Sequence, residues 1–225
     1  MGNSRLVISS QTDIHPRLAE LVARHRAHPY RAPIAAHNQR AFDDAQAWLQ
    51  RRRGPLILDS FCGVGASTVY LARRYPEAAV IGIDRSAERL ARHTSYRVAG
   101  VDNYLLLRAD TEDLWRLGQQ AGWRPALHSL LYPNPWPRPA QLRRRIHGSP
   151  LLPTLLALGG TLWLRSNWEL YAREFAFALE LSGLTPRLRS CQPEPPITPF
   201  ERKYLASGQT IYECCHQDST GTAPL

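Results

Sequence analysis

"LILDSFCGVGASTVYLARRYPEAAVIGID" runs from Leu56 to Asp84, and its pattern decides the fold. A short apolar run, Leu56 to Phe61, reads as a buried strand that ends in Asp and Ser. "CGVGAS" then supplies two glycines, Gly63 and Gly65, that let backbone come close to a ligand. "ASTVYLARRYP" reads as a helix stopped by Pro76. A second apolar run, Ala79 to Asp84, reads as the next strand. Strand, glycine turn, helix and strand make a βαβ unit, the building block of a parallel sheet.

The alternation continues outward. "YLLLRAD" (Tyr104 to Asp110), "ALHSLLYP" and "TLWLRS" (Thr161 to Ser166) read as further strands, with helices predicted through Arg92, over "TEDLWRLGQQAG" and from Trp168 to Ser182. Late strands are predicted at Thr185 to Cys191 and Thr210 to Cys215, and the proline-rich "CQPEPPITPFER" reads as a loop. Seven strands alternating with helices imply an α/β fold, a mostly parallel sheet with helices on both faces. Ligands of such sheets bind outside the carboxyl ends of the strands. Residues 1–53 read as an N-terminal extension with a helical pattern from about Ala35 to Arg52, residues 54–217 as the catalytic-type domain, and residues 218–225 as a disordered tail.

Composition narrows the function. The chain has 225 residues, 44% of them hydrophobic, and a net charge of +9 from 28 Lys and Arg against 19 Asp and Glu. No apolar run is long enough to span a bilayer, and the N-terminus lacks a signal-peptide core, so no membrane role is expected. Cys62, Cys191, Cys214 and Cys215 include no pair with zinc-ligand spacing; they read as reduced thiols of a cytoplasmic protein, and no metal is expected. Only Lys203 among the basic residues is a lysine. Arginine is the better fork for phosphate. Arg51 to Arg53 read as a solvated face, whereas Arg143 to Arg145 follow a second unusual stretch and suit phosphate.

That stretch is "LLYPNPWPRP", Leu130 to Pro139, with four prolines in ten residues. Tyr132, Asn134, Trp136 and Arg138 each precede a proline, which biases all four to extended backbone. The corner presents polar and aromatic groups on a stiff scaffold. The first site is read separately, from Asp59, Asp84 and Asp110 at three consecutive strand ends. Asp84, closing "IGID", is placed to accept from ribose hydroxyls, while Asp59 and Asp110 also suit plain helix capping.

Together these segments resemble the class I S-adenosylmethionine-dependent methyltransferases, a Rossmann-like fold. "LLYPNPWPRPAQLRRRIHGSP", "LGGTLWLRSNWELYAREF" and "PITPFERKYLASG" are similar to the tRNA (guanine-N(7)-)-methyltransferase family, whose pattern is Pro-Asp-Pro-Trp, an arginine-rich helix, an Asp-Trp pair and Thr-x-Phe-Glu. The resemblance runs from Leu56 to Gly208. It implies S-adenosylmethionine as cofactor, held by Asp59, Gly63, Gly65, Asp84 and Asp110. It places Asn134 at the catalytic acid's position, Arg138 at that of a substrate-binding lysine, and Asn167 at that of a substrate-binding aspartate. Thr198, Phe200 and Glu201 fall on the substrate motif.

Trp136 reads as a base-stacking residue or a core aromatic. His147 reads as a helix-end histidine. Glu201 reads as the group that accepts from the Watson–Crick edge of guanine. The departures are Asn for Asp at 134 and 167, and Phe61 where the glycine loop of the family begins. The implied partner is tRNA. The alternatives are an N-methyltransferase of the same fold acting on another RNA or a small purine-like metabolite, and an RNA- or cofactor-binding relative without turnover.

Overall fold

The computed structural model describes residues 4–217. In chain order the elements are α1 (Leu18–Ala27), α2 (Ala36–Leu49), β1 (Leu56–Ser60), α3 (Ala66–Arg74), β2 (Ala79–Asp84), α4 (Ala87–Ala91), β3 (Tyr104–Arg108), α5 (Thr111–Gln120), β4 (Pro125–Leu131), α6 (Leu152–Leu158), β5 (Thr161–Ser166), α7 (Glu169–Leu181), β6 (Arg187–Cys191), α8 (Pro199–Ala206) and β7 (Ile211–His216). The seven strands take the order β3-β2-β1-β4-β5-β7-β6. β1 is parallel to β2 and β4, and β2 to β3, while β7 runs antiparallel to β5 and β6. The expected mostly parallel seven-stranded sheet is present. The expected disordered tail lies outside the described residues.

The chain divides into two compact units. The first comprises residues 32–130 and 157–161 and carries the βαβ repeat. Every residue of β2 is buried, as expected for a parallel strand covered on both faces. Leu58, Val80, Ile81 and Ile83 are fully shielded from solvent, each contributing roughly 1.5–3 kcal/mol by burial. Gly82 is fixed by crowding: a Cβ there would collide with Thr68 and Leu106. α2, half of the predicted extension, packs on α5 and β3 of this unit. Its buried Asn38 accepts from the Asp110 backbone N–H and donates to Asp113, so one amide ties the start of α5 in place.

The second unit comprises residues 4–31, 131–156 and 162–217. α1, which the proline breaks hid in the sequence, lies against α7 and the short turn Ile146–Gly148. The loop predicted over "CQPEPPITPFER" is corrected at its second half. Thr198 accepts from the Glu201 N–H, and Pro199 occupies the first helical position, so α8 begins inside the stretch.

Candidate active site

The β1–α3 loop forms the first group of candidate residues. Phe61, Gly63 and Gly65 have φ of 63°, 61° and 75°. Left-handed backbone costs a non-glycine residue roughly 1–2 kcal/mol. Phe61 thus adopts the conformation that a glycine would hold there, so the departure noted in the sequence leaves the turn intact. Its ring packs edge-on against Trp115, with centroids 5.8 Å apart, which offsets part of the strain. Trp115 in turn donates to Ser60 Oγ, and Ser60 hydrogen-bonds His128 Nε2 at 2.7 Å. A Cβ on Gly63 would meet nothing within 4 Å, whereas one on Gly65 would press on His93 and Leu106. The loop is therefore open at Gly63 and packed at Gly65.

The three acids of this unit differ in what they have left to offer. Asp110 is exposed at the start of α5 and makes no side-chain cap, and its carboxylate has no hydrogen-bond partner among the described residues. Asp84 is buried; it accepts from the Gly63 N–H at 3.0 Å and the Ser86 N–H at 2.8 Å, with Arg89 at 3.5 Å. It both shapes the glycine loop and keeps little more than one lone-pair position for a ligand. Asp59 is corrected from ligand contact to internal brace. It is fully buried and accepts from Ser67, Thr68 and Ser129 hydroxyls at 2.7, 2.6 and 2.8 Å. Burial raises its pKa, against the pull of those hydroxyls.

The proline corner belongs to the other unit, and its backbone overturns one expectation. Tyr132 and Trp136, expected to be extended, have φ of 54° and 45°, whereas Arg138 is extended at φ −73°, ψ 135°. Among the described residues, non-glycine positive φ occurs at Phe61, Tyr132 and Trp136, all in the candidate loops. Such strain persists only where the surroundings over-determine it, and it clusters at functional sites. Asn134 is exposed between the two strained residues. Its Oδ1 lies 3.5 Å from the Trp136 N–H, and its NH2 makes no hydrogen bond among the described residues.

Each strained residue has its own brace. Tyr132 donates through its hydroxyl to Glu201 and through its N–H to the Arg165 carbonyl. Burial, then the neighbouring Glu201, holds its phenol protonated far above the usual range. Trp136 accepts through its carbonyl from Arg145 Nε at 3.1 Å, and the Arg144 guanidinium covers its ring at 4.8 Å.

Two sequence expectations are corrected here. Arg145 is fully buried, paired with the buried Glu174 at 2.5 Å, and lies over the Trp168 ring, so it does not face phosphate; Arg143 and Arg144 remain exposed. Glu201 is also fully buried, and both its oxygens are engaged. Oε1 accepts from Tyr132 and Arg165, and Oε2 from the Ile197 N–H. It cannot read a guanine edge without giving up one of these.

The remaining substrate-site candidates differ in exposure. Phe200 is exposed and stacks on Tyr204. Thr198 is the buried cap of α8, Arg138 is exposed, and Asn167 donates to Gln209 at 2.9 Å.

Sequence reading missed Glu174, Arg165 and Glu213. Arg165 links Glu201 to Glu213, which also accepts from Trp163 and Arg189. His147, read as a helix-end residue, hydrogen-bonds Glu174 at 2.8 Å deep in the unit, where burial lowers its pKa. Burial alone would raise the pKa of Glu174, but His147 and Arg145 outweigh it and keep the carboxylate charged.

The family model Methyltransf_4, described as "Putative methyltransferase", matches residues 53–214. A tRNA (guanine-N(7)-)-methyltransferase of Anaeromyxobacter dehalogenans is 34% identical over 71% of this chain and 83% of its own length. Another, of Treponema pallidum subsp. pallidum, is 31% identical over 71% of this chain and 65% of its own. Among solved structures, a 16S rRNA (adenine(1408)-N(1))-methyltransferase from Catenulisporales acidiphilia, determined with SAM, covers 81% of this chain and 93% of its own at a TM-score of 0.55 and 18% identity, a likeness of fold. With the glycine loop, the acids at the strand ends and the braced Asn-Pro-Trp corner, these matches place the chain in the tRNA (guanine-N(7)-)-methyltransferase family, and it is a methyltransferase.

Proposed function

We propose that the chain is a cytoplasmic enzyme that uses S-adenosylmethionine to methylate nitrogen-7 of a guanine in tRNA. The observation that carries this reading is the corner itself. Two strained aromatics, Tyr132 and Trp136, flank an exposed Asn134 whose NH2 has no hydrogen-bond partner among the described residues. The names of the family relatives support the substrate class.

The residues present fit the cofactor. Gly63 is open to space, Asp110 offers an unengaged carboxylate at the end of its strand, and Asp84 retains a lone-pair position behind the loop. When bound, S-adenosylmethionine supplies an electrophilic methyl group. Nitrogen-7 of guanine carries a free lone pair at neutral pH, so no general base is required; the protein must align the acceptor and exclude water. Asn134 orients the base through its amide, and its dipole faces the positive charge that develops on the ring. Replacing the usual aspartate by Asn removes a charge without removing the reaction's nucleophile. Arg138, Arg143 and Arg144 are the exposed cations for RNA phosphates.

Filter binding of tRNA across a salt series tests the RNA reading. Three phosphate contacts give a slope near −0.9 each, a loss of roughly fortyfold in affinity for a fourfold rise in salt. Arg143→Glu should flatten the slope by about one contact. A flat dependence in the wild type would move the acceptor to a small molecule.

A further inference from the structure

Residues 4–15, an N-terminal strap, lie outside both the family match and the sequence resemblance, yet they are bonded at several points into the unit that carries the proline corner. Ser9 Oγ donates to the carbonyl of Pro137, inside the corner, at 2.5 Å. Gln11 Oε1 accepts from Arg145 Nη1 at 3.0 Å, and its Nε2 donates to Glu174 at 2.5 Å. The His15 N–H donates to the same Glu174 oxygen at 2.9 Å, and Asp13 pairs with Arg173. At the other end, Gln209 donates to the Ser4 carbonyl while accepting from Asn167.

Arg145 is the hub of this arrangement. Its guanidinium is fully buried and touches the strap at Gln11, α7 at Glu174, and the corner at the carbonyls of Trp136 and Arg138. A buried cation needs all its partners, because removing one leaves an uncompensated group. Trp136 has positive φ, so the corner would relax without such constraint.

We infer that the N-terminal strap is a working part of the acceptor site: Ser9 and Gln11 are positioning residues that hold the Asn134 corner in its strained, reactive form. The inference rests on the acceptor reading given above for that corner. Positioning matters because misplacing a reacting group by about 1 Å costs on the order of a hundredfold in rate.

The test uses the full chain carrying Ser9→Ala and Gln11→Ala together. Hydrogen exchange of residues 131–145, S-adenosylmethionine affinity by calorimetry, and kcat and KM for tRNA methylation are measured against wild type. Faster exchange at the corner, a fall in kcat of roughly tenfold or more, and cofactor affinity within about twofold are expected. Ser9→Thr, which keeps the hydroxyl, should retain kcat when tested alone against Ser9→Ala. Unchanged exchange at the corner, or unchanged kcat, would overturn the inference. So would a parallel loss of cofactor affinity and activity, because that marks a general loss of structure. If wild type methylates no tRNA, the substrate reading fails, and the exchange measurement still decides whether the strap holds the corner.

Discussion

Tyr132 donates its phenolic proton to Glu201 Oε1 across 2.6 Å, and Arg165 donates to the same oxygen at 2.9 Å. The carboxylate is fully buried, so this bond fixes the ring of a residue whose backbone is itself strained. Glu201 is therefore a brace of the corner, joining α8 to the end of β4. Glu201→Ala should destabilise the protein by about 3–5 kcal/mol, because Arg165 loses a buried partner. Tyr132→Phe should lose about 1.5–3 kcal/mol, the worth of one hydrogen bond to a charged group. Urea unfolding of both single variants and the double variant should show coupling of roughly 0.5–3 kcal/mol. Strict additivity would mean that the two residues act separately.

Asp110 and Gly65 should separate binding from folding. Asp110→Ala removes an exposed, uncapped carboxylate, so thermal stability should hold while S-adenosylmethionine affinity falls about tenfold or more, the loss of one charge-assisted hydrogen bond. Gly65→Ala should do the reverse first. Its φ of 75° and the His93 Nδ1 only 2.7 Å from the added Cβ predict a stability loss of about 1–3 kcal/mol. Calorimetric titration and thermal melts on the two variants check both. Unchanged cofactor affinity in Asp110→Ala would remove that residue from the site.

Much of this arrangement was legible in the sequence, for physical reasons. Strands β2 and β5 have the limits predicted for them, because apolar runs bounded by Gly, Asp and Ser leave little choice. α8 was hidden because prolines that break a helix inside it also begin one at its first position. The burial of Arg145 was not legible, since its partner Glu174 lies 29 residues away and no periodicity links them. The same holds for Tyr132 and Trp136: the local bias before proline favours extended backbone, and tertiary bonds from Glu201 and Arg145 override it.

His128 gives the fold a pH dependence. Burial lowers its pKa to about 3. Below the ordinary histidine value the unfolded chain takes up a proton that the native state refuses until about pH 3. Stability therefore falls as pH drops through that window, by about 2 kcal/mol at about pH 5 from this residue. His147, also lowered by burial, acts in the same direction. Urea midpoints at about pH 7 and pH 5 should diverge in wild type and converge partly in His128→Asn. Equal divergence in both would show that His128 is not the source.

In the proposed reaction the Asn134 amide meets the acceptor. If the acceptor is a ring nitrogen with a free lone pair, Asn134→Asp should preserve turnover, or raise it by stabilising the cationic product ring. An exocyclic amine acceptor would need the neutral amide, and the same change would damage the reaction.

Nucleoside analysis of total tRNA, after incubation with the wild-type enzyme and labelled S-adenosylmethionine, identifies the acceptor. Label is expected in 7-methylguanosine. Label in a nucleoside methylated on an exocyclic amine, or no label in tRNA while the protein binds cofactor, would contradict the proposed function.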